Sequence, residues 1–355
     1  MRGTKLSRRG VLKGSTALAI STVFAQPARA EAPPAEAITP QLIEAAKKEG
    51  KVVLYSSMDL PVGEKLGKAF EARYPGIAVQ IERSGSERLL QRIAQEFASN
   101  IHAADVINSS DASHFIPWKK SGWLMPFVSE DIAKYFPDQY RDPDGMFATT
   151  RVWLSSIAYN TNLVKPEDAP KSFADLLDPK WAGKMVKGHP AYSGSIMTAT
   201  FQMVRERGWE YFEKLSKQRV MQVQSSTDPP KKLSLGERAV MADGNEYGVV
   251  LLKEAGQPVE PVYPIEGTPT ISGPTGIFAA APHPNAARLL QAWLHTRETQ
   301  QFFIDFTAQY SVHSQVQSKP GRRKISDIKL MKEDAAGVEQ MAEEIKTRYA
   351  RLFRV

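Results

Sequence analysis

Three apolar segments alternate with helical segments near the start of the chain, and this alternation constrains the fold more than any other feature. The apolar segments are KVVLYSS (51–57), IAVQIER (77–83) and ADVINSS (104–110). Near-continuous apolar runs of this length are typical of strands buried on both faces of a parallel sheet. The β-α-β-α-β order, with right-handed crossovers, predicts a doubly wound α/β lobe.

Helix signals precede and separate these strands. Thr39 as N-cap, Pro40 at the first helical position and Gly50 as the stop predict a helix through QLIEAAKKE. A second helix is predicted over residues 62–74. A third, ERLLQRIAQEFAS, follows Ser84-Gly85-Ser86 and carries its apolar residues along one face.

The loops that follow the three strands are rich in hydroxyl and amide side chains. They read Tyr55-Ser56-Ser57, Ser84-Gly85-Ser86 and Asn108-Ser109-Ser110-Asp111. In open α/β sheets, ligands bind beyond the carboxyl ends of the strands, where helix N-termini present free amide groups. Each serine taken alone is explained equally well as a helix cap. Three such loops at one sheet edge favour a polar ligand site.

The first 30 residues carry the pattern of an export signal. SRRGVLK (7–13) resembles the twin-arginine export motif, and the apolar run over 14–25 is too short to cross a bilayer. Small residues near Ala30 suit a cleavage site. We therefore expect a cleaved twin-arginine-type signal peptide over 1–30, a flexible tail over 31–38 and a periplasmic mature protein. An ordinary Sec signal that contains paired arginines is the alternative.

Charge and cysteine content exclude several classes of protein. Of 46 Lys+Arg and 39 Asp+Glu residues, the first 30 positions hold six basic and no acidic ones, so 40 basic against 39 acidic residues remain. This balance does not suit a nucleic-acid binder. The chain has no cysteine, which excludes disulfides and a lipid anchor on cysteine. The remaining length, about 325 residues, exceeds the usual size of a single core and predicts two lobes.

The second half of the chain shows similar strand-to-helix transitions. A strand-rich stretch covers 146–164, and the loop GHPAYSGS (188–195) precedes a helix, IMTATFQMVRERG. GERAVMADGNEYG (236–248) is predicted as a strand that runs into a helix. A last strand, a His-Pro turn and a long amphipathic helix are predicted within 267–294.

The order of several motifs resembles the periplasmic solute-binding proteins of ABC importers. These motifs are KVVLYSS, SFADLLDPKWAGK (172–184), YSGS (192–195), the Gly-Glu-x-Ala-Val strand and GPTGIFAAAPHPNAARLLQAWL (273–294). The similarity covers nearly all of 39–315 and points to the branch that includes ferric-iron, thiamine, phosphonate and polyamine binders.

This resemblance implies a fold, a partner and a mode of action. The fold is α/β, a two-lobed periplasmic-binding-protein fold of type II-like architecture whose lobes close on a ligand about crossing hinge strands. Lobe 1 is expected over 39–149 with a return segment 272–310, and lobe 2 over 150–271 with C-terminal helices 311–355. The partner is a membrane permease, to which the protein delivers its ligand. We expect a monomer without enzymatic activity or cofactor.

The candidate site residues favour an oxygen-rich anion, such as a carboxylate or a phosphorylated small molecule, because hydroxyl and amide groups can replace its hydration shell. Arg151, on a crossing strand, has the alternative interpretation of a solvated edge charge. No metal ligand is predicted. The candidate ligand-binding residues are Ser56, Ser57, Ser86, Ser110, Arg151, Ser193, Gly194, Ser195, Asn245, Glu246 and Tyr247.

Two other functions remain open at this point. In the resembling family, ferric-binding members hold iron through adjacent tyrosines, but Asn245-Glu246-Tyr247 offers one tyrosine and a carboxylate. His114, His189 and His283 could assist, although none has metal-ligand spacing. An exported hydrolase could combine YSGS, His189 and Asp228, but the sequence has no G-x-S-x-G elbow.

Overall fold

The computed structural model describes residues 32–355, so the signal peptide predicted for residues 1–30 lies outside the described part of the chain. Within that part, no helix combines the length and apolar character that a membrane span requires. The α-helices are α1 (Pro40–Glu49), α2 (Leu60–Arg73), α3 (Ser86–Ala98), α4 (Phe115–Lys120), α5 (Glu130–Tyr135), α6 (Gly194–Ser216), α7 (Asp228–Ser234), α8 (Glu246–Glu254), α9 (Pro284–Leu294), α10 (Arg297–Thr307) and α11 (Ala335–Phe353). The strands are β1 (Lys51–Ser56), β2 (Ala78–Arg83), β3 (Val106–Asn108), β4 (Leu124–Met125), β5 (Ala148–Asn160), β6 (Met185–Gly188), β7 (Met221–Val223), β8 (Val240–Asn245), β9 (Val259–Val262) and β10 (Thr270–Phe278).

The parallel strands β1, β2 and β3 form the sheet of lobe 1 in the order β2-β1-β3. Side chains of β1 alternate between the two faces of the sheet. Val52 and Leu54 pack in one apolar cluster with α1, α2, α9 and α10, while Val53 and Tyr55 pack in another with α3 and α4. Helices therefore cover both faces, which is the doubly wound arrangement that the strand pattern predicted.

The first helix confirms its predicted capping residues. The Thr39 hydroxyl oxygen accepts a hydrogen bond from the Leu42 amide at 3.1 Å, and Pro40 occupies the first helical position. Gly50 ends the helix with a φ of 73°, a left-handed conformation that glycine adopts without steric cost.

Two long strands cross the middle of the sheet between its two groups of parallel strands. The strand order is β2-β1-β3-β10-β5-β8-β6-β7, with β5 and β10 antiparallel neighbours at the centre. These two strands are the crossing strands that the resemblance implied. Their pairing register shifts between Gly273 and Pro274. The residue boundaries of the two lobes remain a prediction.

The core of lobe 2 is formed mainly by α6 and α11. Phe201 and Phe212 of α6 pack with Ile345 and Tyr349 of α11 in one buried cluster. Gly208 has a φ of 70° and interrupts α6, so the helix predicted over 196–208 ends there and a second helical segment continues. The C-terminal helix is thereby fixed to lobe 2 through its apolar face.

The APHPNAA corner between β10 and α9 is held by two carboxylates. The His283 amide lies 2.7 Å from an oxygen of the buried Asp105, and its ring Nδ1 lies 2.9 Å from the other oxygen. Glu49 accepts hydrogen bonds from the amides of Asn285 and Ala286, at the N-terminus of α9. His283 is therefore a structural residue of the turn.

Glu36, in the segment predicted to be a flexible tail, contacts the folded body. Its amide donates to the Val128 carbonyl at 2.9 Å, and its carbonyl accepts from the Glu130 amide at 3.1 Å. Its carboxylate also forms an ion pair with Arg288. Backbone and charge contacts together hold this part of the segment against lobe 1.

Candidate functional site

Loops from both lobes surround one cavity of about 170 Å³. The loops follow β1, β2 and β3 on one side and β6, β7 and β8 on the other, so the cavity lies beyond the carboxyl ends of six strands. This is the edge at which open α/β sheets bind ligands. The lining residues include Ser57, Arg83, Gly85, Ser86, Arg88, Ser110, Arg151, Trp153, Tyr192, Ser193, Ser195, Gln224, Ser225, Ser226, Thr227, Asp228, Asn245 and Tyr247.

The structure brings most of the predicted site residues together around this cavity. Eight of them line it, namely Ser57, Ser86, Ser110, Arg151, Ser193, Ser195, Asn245 and Tyr247. Ser56, Gly194 and Glu246 do not. Ser56 is buried below the cavity wall, where its hydroxyl oxygen accepts a hydrogen bond from the Met58 amide at 3.1 Å.

Gly194 has a role in the contact between the lobes. Its amide donates to the Ser86 hydroxyl oxygen at 2.8 Å. A Cβ atom at this position would lie 2.6 Å from that oxygen and 2.7 Å from the Cβ of Asp111. Only glycine allows the start of α6 to approach lobe 1 so closely.

Glu246 points away from the cavity into a cluster of tyrosines. The Tyr263 hydroxyl donates to its Oε1 at 2.5 Å, and the Tyr310 hydroxyl donates to the same oxygen at 3.2 Å. Burial raises the pKa of Glu246 to about 7, although these hydrogen bonds partly oppose the rise. Sequence position alone, between Asn245 and Tyr247, could not reveal this orientation.

Arg151 lies on the crossing strand β5 and is 2 % exposed. Its Nη2 donates to Asn108 Oδ1 at 3.1 Å, its Nη1 donates to Gln309 Oε1 at 3.4 Å, and its guanidinium lies 4.6 Å from the Trp153 ring. These contacts fix its direction, but none neutralises its charge. Burial lowers the pKa of Arg151 to about 10, so it remains charged at neutral pH.

Two further arginines, Arg83 and Arg88, line the more exposed part of the cavity. Arg83 lies at the end of β2, and Arg88 donates to Gln224 Oε1 at 3.0 Å across the cleft. Within residues 32–355, no carboxylate lies within ion-pair distance of Arg83, Arg88 or Arg151. Asp228 supplies the one carboxylate among the lining residues. The cavity therefore carries an excess of positive charge.

Several buried polar atoms of lining residues have no hydrogen-bond partner among the described residues. They are the Ser57 hydroxyl, Arg151 Nε, the Trp153 indole Nε1 and Asn245 Oδ1. Buried polar groups in folded proteins are normally hydrogen-bonded. Three of these four groups, the Ser57 hydroxyl, Arg151 Nε and Trp153 Nε1, are hydrogen-bond donors.

Tyr247 links the two lobes at the edge of the cavity. Its hydroxyl donates to Asp59 Oδ2 at 3.2 Å and accepts from Asn245 Nδ2 at 2.8 Å. Burial and the nearby Asp59 carboxylate raise the pKa of Tyr247 well above its usual value. Its hydroxyl therefore stays protonated.

Sequence reasoning missed the arginines of lobe 1 and residues 224–227, and it named Asp228 only for the hydrolase alternative. Arg83 and Arg88 flank the Ser84-Gly85-Ser86 loop that the sequence identifies, so their proximity to it was an available signal. The 224–228 loop follows β7, a strand of three half-buried residues that lacks a strong apolar pattern. The site contribution of this loop could be recognised only from the fold.

The geometry does not assemble a Ser-His-Asp set. His189 lies outside the cavity lining, and its Nδ1 accepts a hydrogen bond from the Ala191 amide at 3.0 Å. Burial lowers the pKa of His189 to about 4. In the described part of the chain it forms no hydrogen bond with Ser193, Ser195 or Asp228.

The three histidines considered as possible metal ligands lie outside the cavity lining. His283 is held by Asp105, and His189 faces the Tyr349 ring at 5.0 Å. His114 belongs to a buried group with Glu87 and Asp111 behind the cavity wall. A direct metal site in the cavity would have to use Asp228 and the two tyrosines Tyr192 and Tyr247.

The fold is that of a two-lobed α/β protein with a polar cavity between its lobes. The family described as "Bacterial extracellular solute-binding protein" matches residues 55–301, more than half of the chain. The chain belongs to this family of bacterial extracellular solute-binding proteins, as the motif order predicted.

Known proteins with similar sequences carry names that refer to different transport roles. The chain is 31% identical to "Iron uptake protein A1" of Synechocystis sp. over 139 residues, which cover 39% of this chain and 38% of that protein. It is 26% identical over 238 residues to "Probable ABC transporter periplasmic-binding protein y4fP" of Sinorhizobium fredii, with coverage of 63% and 64%. The alignments thus span less than two thirds of the length of these two relatives.

Among solved structures, the periplasmic binding protein AfuA from Actinobacillus pleuropneumoniae has the same fold. The two chains superpose with a TM-score of 0.79 at 24% identity, and the match covers 86% of this chain and 99% of that one. The AfuA structure has exogenous fructose-6-phosphate bound. The predicted two-lobed fold class is confirmed.

Proposed function

We propose that the protein captures a small, multiply charged anion, such as a phosphorylated molecule or a polycarboxylate, in the cavity between its lobes. The observation that carries this proposal is the convergence of Arg83, Arg88 and Arg151 on one cavity without carboxylate partners among residues 32–355. A buried guanidinium without a counter-ion is unfavourable. An anionic ligand supplies the missing negative charge.

The charge of the cavity sets the class of ligand. Three arginines and one aspartate line it, so positive charge is in excess among the lining residues. A dianion such as a phosphate monoester matches this excess. A polyamine would be repelled, and a neutral sugar would leave the arginines without a counter-charge.

The donor geometry also suits oxyanions. Arginine forks and backbone amides at helix N-termini are the usual donors to phosphate and carboxylate groups. The first residues of α3, α6 and α8 contribute to the lining through Ser86, Ser195 and Tyr247. The sugar phosphate bound to AfuA supports the same class of solute.

Membership of the solute-binding family indicates where the protein acts and which partner it has. We propose that the mature protein works as a monomer in the periplasm and delivers its solute to the membrane permease of an ABC importer. The name of the Sinorhizobium fredii relative supports this partner. We also propose export by the twin-arginine route and no catalytic activity or nucleic-acid binding.

Ferric iron is the second candidate, because Tyr192, Tyr247 and Asp228 line the same cavity. The name of the Synechocystis relative, an iron uptake protein, favours it. The raised pKa of Tyr247 opposes tyrosinate formation, and three arginines repel a bare cation. The cavity charge therefore suits an anionic ferric chelate better than the free ion.

A thermal-shift screen tests the proposal. The panel contains hexose phosphates, glycerol phosphate, a phosphonate, citrate, a neutral hexose, a polyamine and ferric citrate. A ligand at about 100 times its Kd adds about 2.7 kcal/mol to stability, which raises the melting temperature by several degrees. We expect this rise from phosphorylated or polycarboxylate compounds. Stabilisation by the polyamine or the neutral hexose alone would refute the proposal, and a coloured ferric complex lost in Tyr247→Phe would establish iron.

A further inference from the structure

The first turn of α3 contacts lobe 2 through consecutive side chains. The Ser86 hydroxyl oxygen accepts from the Gly194 amide at 2.8 Å, and Arg88 donates to Gln224 at 3.0 Å. Both contacts cross the cleft at the cavity wall. Glu87, the residue between them, points away from the cavity.

Glu87 lies in a buried charged group behind the cavity wall and is 5 % exposed. Its Oε1 lies 2.9 Å from His114 Nε2, and its Oε2 lies 3.0 Å from the ammonium of Lys346. Burial alone would raise the pKa of Glu87, but His114 and Lys346 outweigh burial and lower it. Glu87 is therefore a carboxylate at neutral pH, with the His114 ring at one oxygen and the Lys346 ammonium at the other.

The same group has the spacing of a metal site, because ligand atoms of Glu87, Asp111 and His114 lie within 4.8 Å of one another. The Lys346 ammonium already provides the positive charge that a metal would bring. His114 also uses both ring nitrogens, since Nδ1 lies 3.0 Å from the Ser109 hydroxyl. The cluster is therefore an ion-pair network.

Lys346 belongs to α11, which packs mainly on α6 of lobe 2 and also contacts α4 of lobe 1. The neighbouring Ile345 and Tyr349 are fully buried in the lobe 2 core. Tyr349 donates to Gln222 at 2.7 Å, and Arg348 pairs with Glu213 of α6 at 3.1 Å. The Glu87–Lys346 pair consequently joins an element of lobe 1 to an element of lobe 2.

We infer that the Glu87–Lys346 ion pair is a latch that holds the two lobes together outside the ligand cavity. Glu87 and Lys346 do not line the cavity, so the latch forms from protein groups alone. The latch allows the ligand-free protein to populate the closed form to a measurable extent. This inference rests on the proposed opening and closing of the lobes but not on the identity of the solute.

The charged groups around the latch determine which contacts Glu87 keeps when the lobes separate. His114 and Asp111 face Glu87 from the loop after β3, and Glu343 faces Lys346 at 3.0 Å from one turn earlier on α11. When the lobes separate, Glu87 keeps His114 but loses Lys346. The closed form therefore gains one partly buried charge pair that the open form lacks.

Single-molecule FRET on the ligand-free protein tests the latch. The chain has no native cysteine, so Gln91→Cys on α3 and Lys217→Cys after α6 give a specific label in each lobe. We expect closed and open populations, with the closed-to-open ratio lowered at least about fivefold by Lys346→Met, within the usual range of coupling between states. Lys346→Arg should retain the closed population because it keeps the charge.

Arg348→Met is the matched control. Arg348 lies on the same helix and pairs with Glu213 of lobe 2, so its removal breaks an ion pair that does not cross the cleft. We expect its closed-to-open ratio to equal that of the parent protein. The latch would be refuted if the parent protein were entirely open without ligand. It would also be refuted if Lys346→Met and Arg348→Met had equal closed-to-open ratios. No solute is added in this experiment. A negative FRET result would therefore not affect the proposed ligand class, and a negative ligand screen would not affect the FRET test.

Discussion

The environment of Arg151 is the strongest indication of the charge of the ligand. It is buried, oriented by Asn108 and Gln309, and has no carboxylate partner among the described residues. A charge held in this way is unfavourable for the protein alone. We therefore attribute its presence on the crossing strand to recognition of an anion.

Replacing Arg151 should separate ligand binding from folding. For Arg151→Gln we expect anion affinity to fall about 10- to 100-fold, because hydrogen bonds to charged groups contribute about 1.5–3 kcal/mol. The melting temperature without ligand should change little. Isothermal titration with the best anion of the screen measures the affinity. Arg205→Gln, a change outside the cavity, is the control, and an equal affinity in both variants would contradict the role of Arg151.

The raised pKa of Glu246 predicts that the stability of the protein depends on pH. Its pKa is about 7 in the folded protein and about 4.5 when unperturbed, so the folded state holds a proton that the unfolded state loses between these values. Stability should therefore fall as pH rises from about 4.5 to 7, by roughly 3 kcal/mol from this group. Glu246→Gln should lose that part of the dependence, as measured by denaturant unfolding at pH 5 and pH 8.

Glu254, on the same helix, provides the control for this measurement. The hydrogen bond from Arg322 lowers the pKa of Glu254, so its contribution has the opposite sign and is lost as pH falls through the folded value. Glu254→Gln should still lose stability between pH 5 and pH 8, as the parent protein does. If Glu246→Gln and the parent protein showed the same dependence of stability on pH, burial of Glu246 would not lower the free energy of unfolding as pH rises.

At the scale of elements, local signals predicted helices and strands well. Thr39, Pro40 and Gly50 set the ends of α1, and the strands β1 and β3 lie within the apolar runs that suggested them. Capping and buried apolar runs act over a few residues, which is why a single sequence reveals them. β7 and the helical segment that follows Gly208 were missed because their conformations depend on neighbouring elements.

The candidate site was predicted mainly where it follows a recognisable strand. Ser57, Ser110 and Asn245 come directly after predicted strands, and the structure places them at the cavity. The direction of Glu246 and the contact of Gly194 with Ser86 depend on packing between distant segments. Such contacts have no signal within a short window of sequence.

Glu49 connects two elements that are far apart in sequence, and this predicts a stability effect. Its carboxylate accepts from the Asn285 amide at 3.1 Å, the Asn285 side chain at 2.7 Å and the Ala286 amide at 2.7 Å. Glu49→Ala should lower the free energy of unfolding by about 0.5–2 kcal/mol, as for loss of a helix cap. Glu44→Ala, which breaks a surface pair with Lys47 on the same helix, should cost less. Equal losses in urea unfolding would contradict the capping role.

At the scale of the whole molecule, the crossing strands β5 and β10 connect both lobes and also carry the site. Arg151 and Trp153 lie on β5, so the floor of the cavity is part of the hinge region. The other lining residues come from loops on either side. A ligand bound between them contacts both lobes and the hinge, which favours closure when it binds.

The proposed twin-arginine export can be tested at the arginine pair near the start of the sequence. Replacement of Arg8 and Arg9 together by Lys should leave the precursor in the cytoplasm, because twin-arginine recognition depends on the guanidinium groups. Immunoblotting of cell fractions measures this. Unchanged recovery from the periplasm would show that the Sec route is used.

Native mass spectrometry of the protein purified from the periplasm tests the central claim most directly. We predict a mass increment from a small phosphorylated or polycarboxylate molecule that is released on denaturation and is missing or strongly reduced in Arg151→Gln. A bare iron adduct, a polyamine or a neutral sugar bound equally by both proteins would contradict the account.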